Sequence, residues 1–98
     1  ILRYIQGSKK VISSLLIQGQ AEIMEIIASD NMQLTNVPLR ELQLPDGVII
    51  AAIHRGQQVI VPDGNTIITE DDKVMIFCLL SDIADLEGLF KIKRGFHL

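Results

Sequence analysis

The sequence predicts an α+β fold, a small and mostly antiparallel sheet with two helices. Three observations carry that expectation. Short apolar segments recur along the chain with turn residues between them. Three of these segments, within residues 48–80, follow one another through tight turns, which is how antiparallel neighbours are joined. Two stretches with helical character, at residues 35–44 and 81–90, punctuate and close the series. A chain of 98 residues suits one domain, and 48% hydrophobic with 21% charged residues supports a core without disulfides or metal.

The elements follow in order. Ile1, Leu2 and Ile5 share a helical face, and Gly7 suits the position just past a helix end. Residues 8–17 read as a strand and Gln18-Gly19-Gln20 breaks it. Residues 1–20 are therefore expected to lead in from an upstream domain, and the start at Ile1 fits a piece of a longer protein. Residues 21–28, "AEIMEIIA", form a second strand of imperfect alternation. Met24, Ile26 and Ala28 share parity with Glu22, Ile23 and Ile27 with Glu25, and a helix competes on propensity. Thr35 or Asn36 caps a short helix that carries Pro38 in its first turn, sets Leu39 and Leu42 on one side, and ends at Pro45.

Residues 48–55, "VIIAAIHR", are apolar on both parities up to His54, which predicts burial of both faces. Gly56 turns the chain into "VIVP", and Asp63-Gly64 turns it again into "NTIIT". Glu70, Asp71 and Asp72 read as a solvated acidic turn. Residues 73–80, "KVMIFCLL", are the most apolar strand and should sit centrally. Ser81 caps a last helix with Asp82 and Asp85 near its positive end, and Ile83, Leu86 and Phe90 pack it by one face. Residues 92–98 form a basic tail.

Composition narrows the function. The net charge of −3 argues against a nucleic-acid polymer as partner, because a basic face supplies most of such affinity. No apolar run approaches the roughly 20 residues that span a bilayer. Cys78 is the single cysteine, so no internal disulfide forms. His54, His97 and Cys78 do not stand at metal-ligand spacing, and one strand-end histidine is too few for a cupin-like centre. Ser13, Ser14, Ser29 and Ser81 lack a nucleophile context, and His54 lacks a partner to work as a base. Neither a Gly-x-Gly-x-x-Gly fingerprint nor a Walker lysine is present. The expectation is a non-enzymatic module that works by binding a ligand or a second copy of itself. Arg55, at a strand end, is the one cation singled out as a contact for an anion.

The ordered set "LRELQLPDGVIIAAIHRGQQVIVPDGNTIITEDDKVMIF" closely resembles the TrkA C-terminal domain, also called the C-terminal RCK domain. Its parts are a Leu-rich turn ending in Leu-Pro, the strand with Ile50-Ala51-Ala52-Ile53-His54-Arg55, the apolar strand ending at Pro62, Gly64-Asn65-Thr66, the acidic turn and the apolar strand after it. Upstream, "AEIMEII" resembles the family's opening strand, and the likeness spans residues 21–91. Asp71 stands where the family usually has glycine, so it must tolerate a positive φ.

The resemblance implies a cytoplasmic regulatory domain of a potassium transport system, held at the inner face of the membrane by a transporter subunit. It implies a homodimer whose cleft, in some relatives, binds a small effector such as cyclic di-adenosine monophosphate. By resemblance the cleft lies along Val48, Ile49, Ile50 and Arg55. No cofactor is implied in this stretch; NAD or ATP would belong to an upstream nucleotide-binding domain. Against this stands a structural reading, a dimerising module with no small-molecule ligand.

Overall fold

A computed structural model describes residues 11–91. The helix end expected at residues 1–5 and the basic tail at residues 92–98 lie outside the described residues. Five strands form one antiparallel sheet: β1 (Val11–Ile17), β2 (Ala21–Ile27), β3 (Val48–Arg55), β4 (Gln58–Ile60) and β5 (Lys73–Leu79). Their spatial order is β1-β2-β5-β3-β4, so the most apolar strand is central, as expected. Among the described residues one α-helix, α1 (Ile83–Leu89), follows β5 through a 3-10 turn, Leu80–Asp82. The α+β class read from the sequence is the class observed. No helix among the described residues is long and apolar enough to cross a membrane.

Register turns the sequence pattern into two unlike faces. On one face, Val48 lies beside Cys78 and Cys78 beside Glu22. Ile50, Ile76 and Met24 form the next row, and Ile53, Val74 and Ile26 the third. All nine of these side chains are buried. α1 covers this face with Ile83, Leu86 and Phe90, the three positions its periodicity marks, while Met32, Leu34, Leu39 and Ile68 fill the remainder from the connecting loops. The helix alternative for residues 21–28 loses because Met24, Ile26 and Ala28 each enter this core at strand spacing.

Two turns take the conformations their residues suit. Gln18 and Gly19 adopt φ values of 51° and 71° and close the β1–β2 hairpin. Gly56, at φ 61°, begins the two-residue turn between Arg55 and Gln58. Asp63-Gly64 is a different turn: Asp63 Oδ1 accepts from the Asn65 N–H at 2.8 Å, and its carbonyl accepts from the Thr66 N–H at 3.1 Å. "NTIIT" then makes only an isolated bridge, Ile67 to Pro38, and not a strand.

Three expectations are corrected. The first helix is a single 3-10 turn, Leu39–Glu41, between Pro38 and Leu42, both extended. Thr35 does not cap it. Its hydroxyl points back to the carbonyls of Ser29, Asp30 and Met32 at 2.9–3.0 Å and organises that loop instead. At α1 the cap position is Asp82, not Ser81, and the Asp82 carboxylate leaves its own helix to accept the Gly47 N–H at 3.0 Å. In β3, finally, only one face is buried. Val48, Ile50 and Ile53 go inward, the last two set three apart by a bulge at Ala51, while Ile49 is 57% exposed.

Candidate functional site

Among the described residues, no element covers the second face of the sheet. Leu15, Ile23, Phe77 and Ile49 make one apolar row across four strands. Ser13, Glu25, Met75 and Ala52 make the next, and Ile27, Lys73, His54 and Val59 the third. Leu15, Ile49, Val59 and Met75 are all exposed large apolar side chains on this face. Such a contiguous exposed patch marks an interaction surface more often than an inert one. It carries a concavity of about 200 Å³ lined by Glu25, Ala52, Ile53, His54, Val59, Lys73 and Met75. Its floor is apolar, with Glu25 on one strand and the directly opposed pair His54 and Lys73 on the other two.

The four positions singled out in the sequence divide between the faces. Ile49 stands on the open face, whereas Val48 and Ile50 are core residues beneath it. Arg55 turns the other way from His54 and meets a buried acid. Its Nε–H donates to Asp72 Oδ1 at 2.9 Å, and Nη2 donates to Asp72 Oδ2 at 2.8 Å and to the Ile67 carbonyl at 2.9 Å. This is a bidentate, charge-assisted pair. The Arg55 side chain stays 41% exposed and that of Asp72 only 2%. Nη1 has no protein partner among the described residues.

The acidic turn is thus not a uniformly solvated one. Glu70 and Asp71 are exposed, and Asp72 is buried. Asp71 carries the positive φ, 72°, required where the family usually has glycine. Asp72 Oδ2 also accepts from the Thr69 N–H at 2.9 Å. Burial alone would raise the Asp72 carboxyl, but the hydrogen bonds from Arg55 and Thr69, with the guanidinium charge, outweigh it and hold the group below the usual carboxylate range. The same pairing raises the Arg55 guanidinium further.

Sequence reasoning missed Asp72, Lys73, Glu25 and Met75. A signal existed for three of them: Lys73 and Met75 alternate against Val74, Ile76 and Cys78, and Glu25 alternates against Met24 and Ile26. It becomes a site only once the register sets these strands beside β3. Cys78 is no reactive group. It is fully buried, and burial, then the charges of Asp82 and Glu22, push its thiol up to about 11. Among the described residues no group of three or more His, Cys, Asp or Glu could hold a metal ion.

Residues 23–91 match the TrkA-C domain family. The chain belongs to that family. A Trk system potassium uptake protein TrkA from Azorhizobium caulinodans is 35% identical over 97 residues, covering 98% of this chain and 21% of its own length. TrkA homolog 2 from Methanosarcina mazei is 36% identical over 92 residues, 93% of this chain and 20% of its own length. TrkA homolog 1 of the same organism is 37% identical over 76 residues, 76% of this chain and 17% of its own length. The TrkA-C chain described above thus spans about a fifth of the length of these curated relatives. A solved structure of an RCK domain with cda superposes with a TM-score of 0.56 at 23% identity, covering 70% of this chain and 97% of that one. That likeness is one of fold.

Proposed function

We propose that this TrkA-C domain is a cytoplasmic, non-enzymatic regulatory module of a potassium transport system. It pairs with a second copy through its open sheet face and takes a small nucleotide effector, of the cyclic di-adenosine monophosphate kind, in the resulting cleft. β3 supplies one wall: Ile49 gives the apolar contact, Val48 and Ile50 fix the strand beneath it, and Arg55, on the core side, ties the strand end to Asp72. The names of the potassium uptake proteins that the chain is similar to support a transporter partner, and with it a place at the inner face of the membrane.

The observation that carries the proposal is the open face. An uncovered apolar sheet surface holds a concavity with both acidic and basic groups at its margin. An apolar floor suits a flat base, and cationic groups suit a phosphate. Regulation then requires the effector to favour one dimer arrangement, since a ligand of equal affinity for two states shifts neither.

Calorimetric titration with cyclic di-adenosine monophosphate and a panel of mononucleotides tests it. Saturable heat is expected for the former. Absence of heat at high micromolar concentrations would sink the effector reading for those ligands. One observation favours the simpler reading, a dimerising module without ligand: Val48 and Ile50 are buried and three N–H groups of Arg55 are already engaged. Under that reading the dimer forms and no nucleotide gives heat.

A further inference from the structure

Asp72 is tied down on three sides. Arg55 grips its carboxylate from the end of β3. The Ala28 N–H, at the end of β2, donates to its carbonyl at 2.8 Å. Thr69 donates to Oδ2 from within the turn, and the preceding Asp71 N–H donates to the Ala28 carbonyl at 2.9 Å. The next residue is Lys73, where β5 begins, directly opposite His54 on β3 and Ile27 on β2. Asp72 therefore sits on the core side of the sheet edge, and the residue it anchors emerges on the open side, at the rim of the concavity.

We infer that Arg55 and Asp72 are positioning residues for the open-face site: their ion pair fixes the start of β5 and so holds Lys73 opposite His54, where both can meet an anionic group of the ligand. The inference rests on the effector reading above and deepens it. Arg55 acts on the ligand through Asp72 and Lys73, from the opposite face. The rim supports the ligand class: a phosphate against Lys73 and His54, on the side away from the Glu25 strand position, with a flat apolar portion over Met75, Ala52 and Val59.

The test is a mutant cycle on the 98-residue chain, read by calorimetry with cyclic di-adenosine monophosphate and checked by thermal melting. Lys73→Met should weaken binding directly. Asp72→Asn should weaken it by about tenfold, within the range for residues that act on a site they do not touch. Combined with Lys73→Met, Asp72→Asn should add nothing further, because its effect passes through Lys73. Should Asp72→Asn not fold, Arg55→Lys takes its place in the cycle, since it keeps the charge and loses only the bidentate grip.

Unchanged or tighter binding by Asp72→Asn, the result expected if a released Arg55 contacted the ligand itself, overturns the inference while leaving the effector reading intact. A tenfold loss that persists in the Lys73→Met background overturns it too, because it reveals general loosening. No heat from the wild-type chain removes the effector reading and this inference together.

Discussion

Asp72 is a buried carboxylate held by a bidentate arginine. A carboxylate taken out of water is costly unless paired, and this one accepts from both Arg55 and Thr69. Asp72→Asn keeps the shape and removes the charge. It should lower the unfolding free energy by about 2 kcal/mol, less than for a fully buried pair because Arg55 remains partly in water. The pH dependence has a definite sign. The folded-state carboxyl lies below its ordinary 3.8, so its contribution is complete above that value and disappears as pH falls through the folded pKa. Urea unfolding at a series of pH values should show the gap between wild type and Asp72→Asn constant from neutral pH down to about pH 5 and closing below about pH 4. A gap that widened on acidification would show that the carboxyl is not held ionised by its partners. In the core, Ile76 is fully buried in the central strand, and Ile76→Ala should cost about 2–5 kcal/mol in the same measurement.

At the scale of elements, the junction between β3 and α1 hangs on Gly47. Its N–H donates to the Asp82 carboxylate, and its carbonyl accepts from the Leu79 N–H at 2.9 Å. A Cβ there would overlap that carboxylate and lie 2.8 Å from Leu79 Cδ1. Gly47→Ala should therefore destabilise by about 1–3 kcal/mol, seen as a lower denaturation midpoint with an unchanged slope. Much of this level was legible in the sequence. The apolar run of β5 placed it centrally, and the spacing of Ile83, Leu86 and Phe90 gave α1 and its buried side. The resemblance set Asp71 where the family usually has glycine, and the positive φ this implies is found. The site was less legible because it is assembled by register. Asp72 looked like its exposed neighbours Glu70 and Asp71, and only the folded chain brings Arg55 to it from 17 residues away. His54 and Lys73 are likewise distant in sequence and become neighbours through the β3–β5 ladder. The expected first helix failed for a local reason: Thr35 spends its hydroxyl on the preceding loop, and extended residues bound the 3-10 turn on both sides.

At the scale of the whole molecule, the asymmetry of the sheet is the leading feature. One face is a close-packed core under α1 and the loops, and the other presents Leu15, Ile49, Met75 and Val59 to solvent. Substitutions on the open face should therefore separate association from folding. Met75→Glu places a charge at the centre of the proposed interface, between Glu25 and Ala52, and should abolish pairing while changing monomer stability by less than about 1 kcal/mol. Arg55→Ala should leave pairing intact, since its side chain lies on the other side of the sheet. Sedimentation velocity of the wild-type chain and Met75→Glu at tens of micromolar decides whether the open face joins two copies. A dimer for the wild type and a folded monomer for Met75→Glu are predicted; a wild-type monomer, or a dimer that Met75→Glu leaves undisturbed, would contradict the assignment of the open face as the surface that joins two copies.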